Sequence, residues 1–210
     1  MKNDIKHIWF DMNGTLTIHT DEYHKVHDEL CFQAYSEVTG KPIDNDLIQD
    51  YREQYKKFGG SSGIFASLGK PPEFWINRYE TIDQDRYYNP DPDIFLTLNR
   101  LKDLILISLF TSVSLVNAKK TLESVSINPS WFTHIISRND VDNGRPAPEG
   151  FEMMIEKSSL KAENILYVGD RVKLDIVPAN KVGIQSGLIY GESELADYNF
   201  ENFSDILSIM

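Results

Sequence analysis

Cysteine is nearly absent from this sequence of 210 residues, which contains only Cys31. A single cysteine forms no disulfide within the chain, and a chain of this length buries enough surface on folding to need neither a disulfide nor a structural metal. The sequence also begins without the basic and apolar leader of a secreted protein. We therefore expect a cytoplasmic protein, because unpaired thiols persist in reducing compartments.

Long apolar runs and basic residues are scarce as well. No run approaches the roughly 18 apolar residues that cross a membrane. Lys and Arg number 21 against 32 Asp and Glu, which gives a formal net charge of -11. This charge repels the phosphates of nucleic acids. The sequence therefore predicts neither a membrane nor a nucleic acid as partner and specifies no oligomeric state, and local positive groups must hold any anionic ligand.

The remaining composition is that of a globular protein, 41% hydrophobic and 25% charged, and its pattern changes along the chain. Residues 19–88 show apolar positions at helical spacing, broken by glycine and proline, without a strand signal. The rest alternates short apolar runs with helical patterns, which is typical of a parallel sheet covered by helices. We predict an α/β fold with a Rossmann-like core domain of residues 1–18 and 89–210 and a helical domain of residues 19–88 inserted after the first strand. The predicted strands are residues 5–10, 104–110, 135–136, 164–168 and 184–189.

Polar residues directly follow three of the predicted strands. Asp11 ends the first, Thr111 the second and Asp170 the fourth. Because parallel strands bring their carboxyl ends to one edge, we expect these side chains on one rim, with the Arg145 loop opening onto it. Carboxylates hold hard cations and can attack phosphorus, while a hydroxyl and a fixed cation bind phosphate oxygens. This combination of carboxylates, a hydroxyl and an arginine at one edge of the sheet therefore favours a phosphoryl-transfer function.

Four motifs in order make the sequence similar to the haloacid dehalogenase-like (HAD) hydrolase superfamily over nearly the whole chain. Residues 11–16, Asp-Met-Asn-Gly-Thr-Leu, resemble the first motif, whose leading Asp is the nucleophile. Thr111 matches the second motif, and Arg145 matches the third, which is usually Lys and sometimes Arg. Gly169-Asp170 with Asp175 matches the fourth. The helical block resembles the family's cap in its first insertion position.

The resemblance implies a HAD-like core with a helical cap and a magnesium-dependent phosphatase acting on small phosphorylated metabolites. Asp11 would form an aspartyl phosphate, which water then hydrolyses, and Thr111 and Arg145 would act with it in catalysis. The implied Mg²⁺ ligands are Asp11, Asn13 through its backbone carbonyl, Asp170 and Asp175. The implied phosphate-binding residues are Gly14, Thr111, Ser112 and Arg145.

Asn13 departs from the first motif. Family phosphatases have a second Asp there, which protonates the leaving oxygen and later deprotonates the attacking water, and an amide does neither. General acid–base catalysis contributes typically ~100- to 10,000-fold. We therefore expect a phosphatase that is weakened most on alkyl phosphates. The alternative is a catalytically impaired HAD-like protein that binds a phosphorylated ligand or a protein partner.

Two other chemistries of the superfamily are disfavoured. A sugar phosphate mutase also needs an acid and base at position 13, and haloacid dehalogenation does not require the metal that Asp170 and Asp175 imply.

Three assignments stay open: Ser108 or Ser112 can replace Thr111 as the second-motif hydroxyl, Asp175 also suits an N-cap before Pro178, and Arg145 also suits a surface loop. The spacing of His19, His24 and His27 does not favour a metal site on a helix face, and residues 59–63 are predicted to be a loop.

Overall fold

The computed structural model describes residues 4–210, with side chains described throughout that range except at residues 84 and 85. The chain divides into two compact units. The core unit comprises Met1–Ile18 and Tyr88–Met210, and the helical unit comprises His19–Tyr87. Among the described residues, no helix combines the length and the apolar character that crossing a membrane requires.

Six strands of the described chain form one sheet in the core unit, and every neighbouring pair is parallel. They are β1 (His7–Phe10), β2 (Leu106–Phe110), β3 (Ile135–Ile136), β4 (Ile165–Gly169), β5 (Gln185–Ile189) and β6 (Tyr198–Phe200). The order is β3-β2-β1-β4-β5-β6, so β1 lies between β2 and β4. The predicted α/β fold with a parallel sheet is confirmed. The sequence did not predict β6, because three residues are too short to show a strand period.

Both faces of the sheet are buried. Successive residues of a strand point to opposite faces, and Ile8 and Phe10 accordingly pack in one apolar cluster with Leu98 and Leu109. Trp9 packs in a second cluster, with Phe151 and Tyr167 among its members. Burial on both faces explains why the strands appear in the sequence as continuous apolar runs rather than as alternating ones.

The helical unit contains α1 (Asp21–Thr39), α2 (Asn45–Phe58), α3 (Ser61–Ser67), α4 (Pro72–Tyr79) and a 3₁₀ turn, Gln84–Tyr87. The side chains of Thr20 and Asp44 cap the first two helices by accepting hydrogen bonds from backbone N–H groups. Gly40 and Gly59 end these helices in the left-handed conformation. The core of this unit consists of Cys31, Ala34, Tyr35, Leu47, Tyr51, Ile64, Phe65 and Trp75. The Gly-Ser stretch at residues 59–63 is therefore not wholly a loop, because α3 begins at Ser61.

In the described part of the core unit, four further helices cover the sheet. They are α5 (Pro92–Leu101), α6 (Leu115–Ser124), α7 (Glu149–Ser158) and α8 (Val177–Lys181). Short 3₁₀ helices lie at Pro129–Trp131, Arg138–Asp140, Ala162–Asn164 and Phe203–Ile209, and a π-helical turn, Val172–Ile176, runs directly into α8. Asp175 lies inside this π-helical turn, so it is not the N-cap that Pro178 suggested.

Candidate active site

Asp11 directly follows β1 and is 1% exposed. Its backbone N–H donates to the carbonyl of Val168, which ties the residue to β4. The chain then folds into a tight turn in which the Met12 carbonyl accepts hydrogen bonds from the amides of residues 15, 16 and 17. The Asp11 carboxylate is therefore held at the carboxyl end of the sheet, between β2 and β4.

Gly14 brings the turn against the next acidic residue. Its φ of +90° favours glycine, and a Cβ at this position would collide with the Asp170 carboxylate. Gly14 was predicted to bind phosphate. Its N–H instead donates to the Thr17 carbonyl at 2.8 Å, so this amide is not free to bind a phosphate oxygen. The role of Gly14 in this structure is steric, because it allows the first and fourth motifs to approach each other.

Arg145 connects the predicted site residues. Its side chain is 3% exposed, so the alternative hypothesis that Arg145 is an exposed residue of a surface loop is wrong. Nη2 donates to Asp11 Oδ1 at 2.7 Å and to Ser112 Oγ at 3.1 Å, while Nη1 donates to Asp175 Oδ1 at 2.5 Å. Burial alone favours a neutral guanidine, but the carboxylate of Asp11 and its neighbours raise the pKa of Arg145 above its usual value. The guanidinium therefore stays charged between two buried acids.

Tyr167 is a member of this network that the sequence analysis missed. It lies on β4, and its hydroxyl accepts a hydrogen bond from Arg145 Nη1 at 2.8 Å and donates to Asp175 Oδ1 at 3.3 Å. Burial raises the pKa of the phenol well above its usual value, so it remains a donor. In an apolar strand a tyrosine is normally read as a packing residue, and only its register beside Asp175 indicates this second role.

Three carboxylates meet at the rim. Asp11, Asp170 and Asp175 each place an oxygen within 4.8 Å of the others, and among the described residues this is the group of three that is suited to a metal ion. Asp11 Oδ2 and Asp170 Oδ1 are buried and have no hydrogen-bond partner. Burial, followed by repulsion from Asp11, raises the pKa of the Asp170 carboxyl to about 7. Two orphaned carboxylate oxygens that repel each other are the arrangement that a bound cation stabilises.

Asp175 differs from the other two acids because both of its oxygens are occupied. Oδ1 accepts from Arg145 and Tyr167, and Oδ2 accepts from the backbone N–H of Arg171 at 2.9 Å. The resemblance to the family implies a metal-ligand role for Asp175. In this structure its direct contacts hold Arg145 and the turn after β4.

Asn13 is held by two hydroxyl groups. Thr17 Oγ1 and Tyr88 Oη each donate to Asn13 Oδ1 at 3.0 Å. The backbone carbonyl of Asn13, the predicted metal ligand, accepts none of the backbone hydrogen bonds described for the turn. Neither Thr17 nor Tyr88 was predicted, because each lies outside the four motifs.

The hydroxyls after β2 occupy different environments. Thr111 is 2% exposed, and its Oγ1 accepts a hydrogen bond from the Val113 amide at 3.4 Å, whereas Ser112 Oγ contacts Arg145. Both were predicted to bind phosphate. Ser108 is excluded as an alternative, because its hydroxyl is buried in the sheet and pairs with His7 Nε2 at 2.8 Å.

Arg171 is a second basic residue at the rim that the sequence analysis missed. Its guanidinium lies 3.8 Å from Asp11 Oδ2 and 3.7 Å from Asp170 Oδ1, and its side chain is 42% exposed. It follows the Gly-Asp pair of the fourth motif directly, and that position was the signal available in the sequence.

The histidines of the helical unit form no metal site in the described part of the chain. His19 stacks on Tyr23 with ring centroids 3.6 Å apart, and its ring centroid lies 6.2 Å from that of His24. Burial, followed by the charges of His24 and His27, lowers the pKa of His19 to about 4. His19 is therefore a packed, neutral ring at pH 7.

Comparison with known proteins gives concordant results. The chain matches the haloacid dehalogenase-like hydrolase family over residues 8–189. It is 30% identical to a glyceraldehyde 3-phosphate phosphatase of Methanocaldococcus jannaschii, over 98% of this chain and 97% of the relative. It is 26% identical to the pyrophosphatase PpaX of Oceanobacillus iheyensis, with the same coverage of 98% and 97%.

Solved structures share the fold. A magnesium-bound HAD-hydrolase of Bacillus subtilis, YfnB, superposes with a TM-score of 0.66 at 15% identity, covering 99% of both chains. The match to the family extends from β1 to the end of β5 and therefore includes all four motifs. This chain belongs to the haloacid dehalogenase-like hydrolases.

Proposed function

We propose that this hydrolase is a magnesium-dependent phosphatase of small phosphorylated metabolites and that it works through an aspartyl phosphate on Asp11. The observation that carries the proposal is the state of the Asp11 carboxylate. It is buried, with Oδ1 bound by Arg145 and Oδ2 left without a partner beside the orphaned Asp170 Oδ1. A carboxylate held this way has a fixed orientation, with Oδ2 free for a metal ion and Oδ1 beside a guanidinium that can guide a phosphoryl group to it.

The residues present fit a magnesium ion. Mg²⁺ prefers oxygen ligands and keeps several waters, so a small set of protein oxygens is sufficient. Asp11 Oδ2, Asp170 Oδ1 and the Asn13 carbonyl are the oxygens that would hold it. Bound there, it would offset the repulsion between an anionic nucleophile and an anionic substrate. The magnesium-bound relative from B. subtilis supports this choice of metal.

The reaction follows from the contacts of the protein's own groups. An oxygen of Asp11 attacks phosphorus, the bond from phosphorus to the leaving oxygen breaks, and water later cleaves the acyl phosphate to regenerate the carboxylate. Arg145 supplies a permanent positive charge to the phosphoryl oxygens. The hydroxyls of Thr111 and Ser112 are the neutral donors after β2, and Asp175 and Tyr167 keep the guanidinium in position.

Asn13 limits the leaving groups that this site can release. With Oδ1 occupied by the hydroxyls of Thr17 and Tyr88, the side chain has its NH₂ group left as a hydrogen-bond donor. An amide hydrogen bond can stabilise negative charge on the leaving oxygen, but it does not transfer a proton at neutral pH. We therefore expect turnover to favour acyl and aryl phosphates, whose leaving groups depart as stable anions, over alkyl phosphates.

The same residue supports a second candidate function. A site that binds phosphate esters and lacks its acid could serve a protein that holds a phosphorylated ligand without hydrolysing it. Asn13 keeps its backbone carbonyl for the metal, so binding can survive where turnover is lost.

Phosphate release distinguishes the two candidates. We would measure it from acetyl phosphate, nitrophenyl phosphate and glycerol phosphate, with Mg²⁺ and with EDTA, for the wild type, Asp11→Asn and the exposed control Asp103→Asn. The proposal expects Mg²⁺-dependent release from the first two esters that Asp11→Asn abolishes and Asp103→Asn leaves unchanged. Activity that survives Asp11→Asn would contradict the mechanism. Tight binding of esters without release by the wild type would support the second candidate.

A further inference from the structure

The two arginines at the rim are in different states. Arg145 is 3% exposed and donates four hydrogen bonds, whereas the Arg171 side chain is 42% exposed. The nearest carboxylate oxygens lie 3.7, 3.8 and 4.0 Å from the Arg171 guanidinium, and these separations are longer than hydrogen bonds. In the described residues its donors are therefore uncommitted, although its charge is attracted to the acids.

The backbone of Arg171 is held by a hydrogen bond, whereas no hydrogen bond of its side chain is found among the described residues. The amide of Arg171 donates to Asp175 Oδ2 at 2.9 Å, which anchors the residue in the turn after β4. The guanidinium extends from this anchor to the exposed side of the carboxylates. An arginine in this situation presents a planar set of donors that match a carboxylate or a phosphate in two-point geometry.

The oxygens that Arg171 faces are the two orphaned ones, Asp11 Oδ2 and Asp170 Oδ1. A divalent cation on these oxygens would cancel their attraction for the guanidinium and repel it toward solvent. With three ionised carboxylates, Arg145 and a divalent cation, the site has no net formal charge. Before substrate binds, Arg171 adds one positive charge to this neutral set, and its side-chain donors lack an anionic hydrogen-bond partner among the described residues.

We propose that Arg171 is a specificity-determining residue that binds a second anionic group of the substrate, next to the phosphoryl group that Asp11 attacks. This inference rests on the proposed function, because it assumes that a phosphoryl group binds at Asp11. The Arg171 backbone is anchored to Asp175, which belongs to the same carboxylate group as Asp11, so the guanidinium stays within one side-chain length of the phosphoryl site. The second anion must therefore be joined to the phosphoryl group by only a few bonds. The substrate class is therefore a small phosphorylated acid or a pyrophosphate-like compound.

The test is equilibrium binding, which needs no turnover. Titration calorimetry in excess Mg²⁺ would compare methylphosphonate, which has one anionic group, with phosphonoacetate and methylenediphosphonate, which carry a second carboxylate or a second phosphonate. The variants are Arg171→Gln, Arg171→Lys and the control Arg100→Gln, which removes the same charge from the exposed face of α5.

We expect the wild type to bind at least one of the two-anion ligands more tightly than methylphosphonate. Arg171→Gln should reduce that preference about ten- to 100-fold, which is the range for losing a hydrogen bond between charged groups. Arg171→Lys should retain part of it, and Arg100→Gln should retain all of it. The ligand whose binding Arg171→Gln weakens, phosphonoacetate or methylenediphosphonate, identifies the second anion as a carboxylate or a phosphate.

Two results would overturn the inference in distinguishable ways. If Arg171→Gln weakens the binding of all three ligands by the same factor, or of none of them, Arg171 does not recognise a second anion. The inference then fails while the proposed function stands. If the wild type does not bind methylphosphonate in Mg²⁺, the phosphoryl site itself is absent and the proposed function fails with it.

Discussion

The core unit and the helical unit bury different kinds of polar group. The core unit concentrates Asp11, Asp175 and Arg145 at the carboxyl ends of β1 and β4, all nearly inaccessible to solvent. In the helical unit the described polar side chains with the least exposure are neutral, and the hydroxyls of Tyr51 and Ser61 pair at 2.7 Å. Buried charges are costly unless they are paired, so the difference locates the chemistry in the core unit.

Removing a charge partner should therefore cost more than any other single change. Arg145→Met leaves Asp11 and Asp175 buried without their cation, and we expect the free energy of unfolding to fall by about 3–5 kcal/mol. Urea unfolding in EDTA measures this loss. Arg145→Lys should recover much of it, and Arg100→Met should change stability by less than about 0.5 kcal/mol. A loss below about 1 kcal/mol for Arg145→Met would show that this network is not what keeps the core unit stable.

Adding an acid to the core unit should sharpen its catalytic role. Asn13→Asp can accept the same hydrogen bonds from Thr17 and Tyr88, so the fold should tolerate it. We expect kcat/KM for alkyl phosphates to rise at least about 100-fold, the lower end of the range for general acid–base catalysis, because that catalysis is restored. Turnover of acetyl phosphate should change much less. The control is Asn117→Asp on α6, and an equal gain on both substrate types would count against a missing acid.

Each unit contains an imidazole whose shielding from solvent should make stability depend on pH: His7 is buried and His19 is half-buried. Burial, followed by the nearby His134, lowers the pKa of His7 in the core unit to about 4, and burial does the same to His19 in the helical unit. The folded chain then keeps these rings neutral where the unfolded chain protonates them. Their contribution to stability is complete above pH 6.5 and is lost as the pH falls toward 4.

His7 should therefore account for about 2 kcal/mol of stability lost between pH 7.5 and pH 5, and the half-buried His19 for less, because solvent screens its interactions. Urea unfolding at both pH values, for the wild type, His7→Gln and His19→Gln, measures the two contributions separately. Each variant should lose less stability on acidification than the wild type does. A variant with an unchanged pH dependence would show that its ring is already accessible to protons in the folded chain.

The smallest effect is expected in the helical unit. Tyr51→Phe removes the hydroxyl that pairs with Ser61 Oγ, while the Cys31 thiol remains 3.6 Å from the same oxygen. We expect a loss of about 1 kcal/mol, which is typical of a neutral hydrogen bond. Tyr55→Phe, on an exposed position of α2, should have almost no effect on thermal or urea unfolding. A loss as large as that of Arg145→Met would remove the contrast between the two units.

The same contrast explains what the sequence could predict. Asp11 and Asp170 were identifiable because they directly follow apolar strands, and Arg145 because it completes, with them and Thr111, four family motifs in order. Their convergence required only the rule that parallel strands end at one edge. In the helical unit the sequence indicated helices and their ends, but apolar and aromatic residues at helical spacing do not specify which of them meet.

The residues that the sequence missed depend on three-dimensional detail. Tyr167 looks like a core residue until its hydroxyl is seen beside Asp175, and Tyr88 contacts Asn13 across 75 positions of the chain. Two further details depend on hydrogen bonds that residue types do not predict. They are the occupied amide of Gly14 and the position of Asp175 inside a π-helical turn.

The central position of β1 in the sheet should make its backbone amides slow to exchange hydrogen with solvent. His7–Phe10 pairs with β2 on one side and β4 on the other, and both of its faces are buried. Segments of this kind open only when most of a domain opens, so their amides are among the slowest to exchange. Asp11 is the next residue. Asp11 therefore keeps its place through the local fluctuations of surrounding loops and loses it only when the core unit as a whole unfolds.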